Sequence, residues 1–108
     1  VILLRYSSTS GFDCTVVTSG SSVAGLNLGA YAANTRTRIA LSYKANQFYA
    51  SRDGGAVVQD TSGALPAMNS VRIGGYRTNE FELAGCMEEA IYWPKAANAT
   101  EIVRLSAL

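Results

Sequence analysis

The chain has 108 residues, which is enough for one domain with a single hydrophobic core. Its net charge of +1 excludes the positive field that gathers nucleic acid or anionic membrane, and no apolar run approaches the ~20 residues of a membrane span. Histidine is absent, which excludes Ser-His-Asp and Cys-His catalysis and His-ligated zinc. We therefore expect no nucleic-acid partner, no membrane insertion and no enzyme of these classes.

Alternation of apolar and polar residues, broken by turn residues, predicts strands through the first half of the chain. The predicted strands cover residues 1–6, 12–19, 23–28 and 36–44. The pattern is clearest in the last of these, where Ile39, Leu41 and Tyr43 point to one face. We expect that face to lie against the core.

The second half continues with strands at residues 47–52, 56–60, 70–76 and 81–93. Asp53-Gly54 lies between the first two and predicts a type I′ hairpin turn, because this turn requires positive φ values. Trp93 ends the last strand and is predicted to lie in the core beneath a helix.

A helix is predicted at residues 99–108, with Asn98 as the N-cap and Glu101 three residues later in a capping box. About eight strands spaced by 8–12 residues are typical of an antiparallel β-sandwich. The predicted fold is thus all-β with one short C-terminal helix, in one domain spanning residues 1–108. Because the chain starts inside an apolar run, we expect it to be the C-terminal fragment of a larger chain.

The two cysteines, Cys14 and Cys86, are too few for a disulfide scaffold and are predicted to be buried free thiols. One disulfide joining distant strands is the alternative. The redox compartment therefore stays undecided at this point.

Three stretches carry a resemblance to a known family: NQFYASRDGGAVVQDTSGALP, VRIGG and GCMEEAIYWPKAANATEI. They resemble the concanavalin A-like lectin/glucanase superfamily, and within it the laminin-G-like modules of bacterial surface proteins and of phage tail and virion proteins. The resemblance covers residues 36–108, and residues 1–35 only by strand character. It implies a jelly-roll sandwich, located on a virion or at the cell surface.

Modules of this kind are usually longer and carry further N-terminal strands. The resemblance therefore implies that missing N-terminal strands of the same chain, or other virion subunits, complete the sheet. It also implies a homo-oligomer in the assembled particle and a glycan on the host surface as the ligand.

Sugar binding needs an aromatic ring for stacking and planar hydrogen-bonding side chains beside it, because pyranose faces are apolar and their edges polar. One predicted loop combines these residue types: Tyr76, Arg77, Asn79 and Glu80. We predict that they bind the ligand. A second, smaller set is formed by Tyr31 and Asn34.

The carboxylate cluster of the sequence contains Glu80, Glu82, Glu88 and Glu89. Glycosidases use two carboxyl groups about 5–10 Å apart, and Glu80 and Glu82 could share one face of a strand. The Glu-x-Asp-x-x-Glu motif of the family's glucanases is missing, so we predict no catalytic residues. These acids are interpreted as solvated or structural, hydrogen-bonded to the backbone near the helix.

Calcium binding would need several carboxylates and carbonyls on one loop. Asp13, Asp53 and Asp60 are scattered along the chain, so no metal site and no cofactor are predicted, with calcium as the one alternative. Three functions follow in order: a non-catalytic carbohydrate-binding and adhesion module, a purely structural virion domain that contacts protein, and a glucanase-type enzyme.

Overall fold

The computed structural model describes residues 1–7, 11–30, 32, 34–68, 70 and 85–107. Within these ranges the chain forms six strands and one helix: β1 (Ile2–Ser7), β2 (Gly11–Thr18), β3 (Ser21–Asn27), β4 (Ile39–Lys44), β5 (Gln47–Arg52), β6 (Val58–Asp60) and α1 (Ala99–Ser106). The described part of the chain contains no helix with the length and apolar character needed to cross a membrane.

The first sheet is an antiparallel meander in the order β1-β2-β3. Ser19 and Gly20 join β2 to β3 with φ values of 52° and 80°. Two positive φ values in a two-residue connection are the requirement of a type I′ turn, which matches the twist of the flanking strands. Val16 pairs with Ala24 and Val17 pairs with Ser22, so Val23 has no partner and is the extra residue of a β-bulge.

The second sheet is also an antiparallel meander, in the order β4-β5-β6. The predicted turn after β5 is confirmed: Asp53 and Gly54 have φ values of 52° and 72°, and the Gly55 amide donates to the Arg52 carbonyl at 2.9 Å. A regular two-residue hairpin would pair Ala50 with Val57, but Ala50 pairs with Val58. The returning strand therefore carries one extra residue and begins later than predicted.

The two sheets share one hydrophobic core. Its buried members come from both sheets and from the connection after β3: Cys14, Val16, Ala24, Leu26, Leu28, Phe48 and Ala50. Ile39, Leu41 and Tyr43 pack against this cluster, which confirms the face predicted from their alternation. Contacts between β3 and both β5 and β6 bring the sheets together.

Helix α1 covers the opposite face of the second sheet. Successive residues of a strand point to opposite faces, so Ser51 lies on the face away from its core neighbour Ala50. Its hydroxyl lies 2.9 Å from that of Ser106 on the helix, and Ile102 is fully buried. The predicted N-cap is confirmed by a 2.9 Å hydrogen bond from the Glu101 amide to the Asn98 side chain.

The predicted strand at residues 81–93 is wrong for its described part, since residues 85–93 form no strand. Glu88 and Glu89 are consecutive, yet both contact arginines of the same neighbouring stretch, Arg36 and Arg38. In a strand, two consecutive side chains point to opposite faces, so contacts of both glutamates with one neighbouring stretch are not the usual arrangement of a strand. The predicted strand at 70–76 lies outside the described residues, apart from its first residue.

Two predictions of burial are corrected in the same region. Trp93 is 52% exposed, and Cys86 is exposed as well. Ile102 and Ser106 fill the helix interface instead of Trp93, because they project directly from the helix toward the second sheet. Both cysteines are free thiols, as predicted, and Cys14 is the buried one.

Candidate functional site

The predicted sugar-binding loop is not among the described residues. Tyr76, Arg77, Asn79 and Glu80 all lie outside them, as does Tyr31. Asn34, its predicted companion, is exposed and occupies a left-handed turn position with φ of 57°. The described residues bring a different set of side chains together.

That set lies on residues 85–97, which we name the edge segment because its members contact β4 and the residues just before it, and β4 stands first in the strand order of the second sheet within the described residues. Two ion pairs hold its first half. Arg36 Nη2 lies 2.7 Å from Glu88 Oε2, and Arg38 Nη2 lies 3.0 Å from Glu89 Oε2. Glu88 and Glu89 are exposed, in line with the solvated interpretation, and the partners that the structure gives them are arginine side chains, while Glu80 and Glu82 lie outside the described residues.

Two further contacts hold the second half of the edge segment. Tyr92 and Tyr43 share a hydrogen bond between their side chains, and this bond, with partial burial, raises the pKa of Tyr43. The Ser42 hydroxyl donates to the Ala97 carbonyl at 2.9 Å. Since Tyr43 and Ser42 are neighbours on β4, these bonds place the end of the edge segment against that strand.

The apolar side chains of the edge segment remain in solvent. Tyr92 is 66% exposed although its hydroxyl is bound to Tyr43, and Met87 and Ile91 are exposed as well. We give the name aromatic platform to the exposed rings of Tyr92 and of the next residue, Trp93, which is 52% exposed. Exposed apolar patches mark binding surfaces in soluble proteins, which makes these two rings the candidate site.

The two ion pairs contribute little to stability, because exposed pairs are worth about 0–1 kcal/mol. All four side chains are exposed, by 42–68%: Arg36, Glu88, Arg38 and Glu89. An arginine beside a glutamate presents hydrogen-bond donors and acceptors on one small surface. This combination can bind vicinal hydroxyl groups.

The three aspartates considered for calcium are each bound by donors of the chain itself. Asp13 pairs with Arg5 at 2.8 Å, and Asp53 accepts the amide of Arg38 at 2.7 Å. Asp60 accepts the amides of Ser62 and Gly25, and these hydrogen bonds lower its pKa. Among the described residues, no three acids, cysteines or histidines come together as a metal site would require.

Arg52 is a residue whose role the sequence patterns did not indicate. Its guanidinium lies 4.8 Å from the centre of the Phe12 ring and donates to the carbonyls of Leu28 and Ala30 at 3.3 and 2.6 Å. It also donates to the Thr37 hydroxyl at 3.0 Å. These contacts join the second sheet to the connection after β3, so Arg52 has a structural role.

The two thiols give an expected result in alkylation experiments. Burial raises the pKa of Cys14 to about 12, whereas Cys86 is exposed on the edge segment. Because the thiolate is the reactive species, iodoacetamide at neutral pH should modify Cys86 in the native protein and Cys14 only in urea. Mass spectrometry of tryptic peptides measures this difference, and equal native labelling of both cysteines would contradict the burial of Cys14.

The edge segment thus combines an anchored aromatic ring, a second exposed ring and two Arg–Glu pairs beside one strand. Two features of its sequence could have indicated this site, the consecutive glutamates and the Tyr-Trp-Pro stretch. The same features also fit the end of a buried strand, which is how they were interpreted. Comparison of the chain with protein-family models, with curated proteins and with solved structures finds no match.

Proposed function

We propose that this chain is a non-catalytic carbohydrate-binding and adhesion module that binds sugar on the aromatic platform. The main support is Tyr92, whose ring is 66% exposed while its hydroxyl is bound to Tyr43. A ring anchored at its tip loses little freedom when a ligand stacks on its face. The apolar face of a pyranose ring has the matching shape and chemistry.

An oligosaccharide that extends from Tyr92 along the edge segment would reach the two ion pairs, because Glu88 and Glu89 lie on the same segment. Guanidinium groups of Arg36 and Arg38 donate hydrogen bonds, and the carboxylates of Glu88 and Glu89 accept them. Stacking supplies apolar contact, and the paired charges supply orientation. This division of roles supports a sugar as the ligand more than a fully apolar one.

The resemblance of residues 36–108 to concanavalin A-like, laminin-G-like modules supports the biological setting of the proposal. In this setting the two sheets belong to a jelly-roll β-sandwich on a phage virion or a bacterial surface protein. The ligand is then a glycan of the host surface. The loop with Tyr76, Arg77, Asn79 and Glu80 remains a proposed second part of the site, and no cofactor is required.

A glycan array followed by calorimetric titration of a bound oligosaccharide tests the platform. Tyr92→Ala is expected to weaken binding about tenfold, since one lost stacking contact of about 1.4 kcal/mol corresponds to that factor. Tyr92→Phe keeps the ring and should retain most of the affinity. Trp93→Ala reports on the second ring, and Tyr76→Ala on the predicted loop.

The matched control is Tyr6→Ala, because Tyr6 is an exposed tyrosine on β1, in the other sheet. It should leave the affinity unchanged. An affinity that falls equally for Tyr6→Ala and Tyr92→Ala would remove the platform from the proposal. A loss confined to Tyr76→Ala would move the site to the predicted loop.

A purely structural virion domain is the second candidate function. The observation that favours it lies at the start of the chain, where Leu4 on β1 is 46% exposed and Val1, just before β1, is exposed as well. Exposed apolar side chains on an outer strand are typical of surfaces that contact another protein. A structure of the assembled particle in which another subunit covers both Leu4 and Tyr92 would favour this function.

A further inference from the structure

Strand β1 forms one outer edge of the first sheet. It stands first in the order β1-β2-β3, and among the described elements it contacts β2 alone. The Val1 amine donates to the Val17 carbonyl at 2.6 Å, and the Val17 amide donates to the Val1 carbonyl at 2.8 Å. Antiparallel pairs alternate between bonded and non-bonded, so Leu3 is also bonded to β2, whereas Ile2 and Leu4 are not. The amides and carbonyls of Ile2 and Leu4 therefore point away from β2.

The side chains of the same two residues are apolar. Ile2 and Leu4 lie opposite Val16 and Cys14 of β2, so they share the core-facing side of the sheet. Leu4 is nevertheless 46% exposed, because within the described residues β3 contacts the second sheet and β1 does not. A strand that pairs with β1 would therefore cover apolar side chains and bind backbone groups at the same time.

Strand β1 lacks the features that usually protect an edge strand from pairing, namely lysine, proline and β-bulges. Its sequence, ILLRYS, contains neither lysine nor proline, and the bulge of this sheet lies between β2 and β3. The other outer strand, β3, is partly covered, because its Gly25 amide donates to the Asp60 carboxylate at 3.1 Å. The β1 edge is therefore the one that is suited to pair with a further strand.

Strand β1 is complementary to a second copy of itself. An antiparallel pair with a two-fold axis at Leu3 places Leu3 opposite its own copy and Ile2 opposite Leu4, so these cross-strand pairs are all apolar. The outward backbone groups of Ile2 and Leu4 then bind each other. Arg5 is bound to Asp13 at 2.8 Å, and about 14 Å of strand separates the two arginines. An axis at Leu4 would halve that separation and place Leu3 opposite Arg5.

We propose that two copies of this chain associate through β1, in antiparallel register about Leu3, and form one continuous six-stranded sheet. The interface consists of Ile2, Leu3 and Leu4 of both copies. It includes neither the aromatic platform nor β4, so this dimer is independent of the proposed sugar binding. Because the paired stretch is short, the dimer is weak and dissociates on dilution.

Sedimentation equilibrium between about 10 µM and about 1 mM measures the association, which depends on concentration by mass action. The mass of the wild-type chain should rise with concentration from 11.4 kDa toward twice that value. Leu4→Lys places a charge on the core-facing side of the paired strands and should weaken association at least about tenfold. Leu65→Lys is the matched control, because Leu65 is 41% exposed and lies outside β1. It should associate as the wild type does, and far-UV circular dichroism checks that both variants fold.

Opposite charges at Leu3 test the register. Leu3→Lys and Leu3→Glu should each associate at least about tenfold more weakly than the wild type, because like charges then lie directly opposite each other across the axis. An equimolar mixture of the two variants should form a one-to-one dimer, since opposite charges now meet. If Leu4→Lys and Leu4→Glu restore each other instead, the register about Leu3 is wrong.

Amide exchange measured by NMR identifies what pairs with β1. The Leu4 amide should gain protection as the concentration rises, whereas the Leu3 amide, already bonded to β2, should be protected throughout. A wild-type chain that stays monomeric at about 1 mM overturns the dimer. In that case a protected Leu4 amide would show that another part of the same chain pairs with β1, and an unprotected one that the edge stays open. A dimer that persists in Leu4→Lys would place the interface elsewhere and overturn the proposal as well.

Discussion

Gly11→Ala is expected to lower the free energy of unfolding by about 3 kcal/mol or more, enough to unfold much of a marginally stable domain. Gly11 has φ of 74°, a conformation that side chains disfavour. A Cβ atom there would also overlap the Gly29 carbonyl oxygen and lie 2.7 Å from the Gly29 carbon. These atoms cannot move apart easily, because the Phe12 amide donates to the same carbonyl at 2.9 Å.

Gly20→Ala separates the two causes of this loss. Gly20 has a similar φ of 80°, but no atom lies within 4 Å of an added Cβ. Only the conformational cost remains, about 1 kcal/mol. Urea unfolding followed by far-UV circular dichroism compares the two variants, and equal losses would show that β2 and Gly29 do not approach as described.

Phe48→Ala is expected to cost about 3–5 kcal/mol, the usual range for truncating a buried aromatic residue. Phe48 is fully buried in the cluster that joins the two sheets. The Phe48 ring also packs beneath the loop after β6. A Cβ atom added to Gly63 in that loop would lie 3.1 Å from Phe48 Cε2. The variant therefore leaves a cavity bordered by both sheets and that loop.

Leu65→Ala is the control for Phe48→Ala, because Leu65 lies on the same loop and is 41% exposed. Substitutions at exposed positions usually change stability by about 0.5 kcal/mol or less. The same urea titration measures both variants. A Phe48→Ala loss no larger than that of Leu65→Ala would mean that the two sheets do not share a core.

Local sequence signals predicted the elements whose causes are themselves local. The turn at Asp53-Gly54, the alternation of Ile39 with its neighbours and the cap at Asn98 were all confirmed. Each depends on residues a few positions apart, through φ preferences, strand alternation or a side chain that binds a nearby amide. The confirmed part of the fold follows from such short-range chemistry.

The start of β4 is a boundary that local sequence patterns did not predict. Alternation predicted a strand from residue 36, but β4 begins at Ile39. The Arg38 amide donates to the Asp53 carboxylate at 2.7 Å, and the Thr37 hydroxyl donates to the same side chain at 2.8 Å. The turn at Asp53, fifteen residues after Arg38, thus competes with strand pairing for these donors. A pattern in the residues around position 36 cannot include a partner so far along the chain.

The candidate site shows the same limit. The residue types suited to sugar binding could be recognised in the sequence, and the loop at Tyr76 to Glu80 was selected by composition alone. The aromatic platform was not selected, because Tyr92 and Trp93 have the composition of a buried strand end. Their exposure depends on which side chains fill the space beneath the helix, which is a property of packing.

The sequence by itself determined the mostly-β architecture, the turns, the helix and its cap, and the lack of histidine chemistry. Only the tertiary structure decided that Trp93 and Cys86 lie in solvent, and that Glu88 and Glu89 bind arginines beside β4. The physical reason is that burial and ion pairing join residues that are far apart in the chain. For residues 85–93, contacts with β4 and the residues before it outweighed the local preference for a strand.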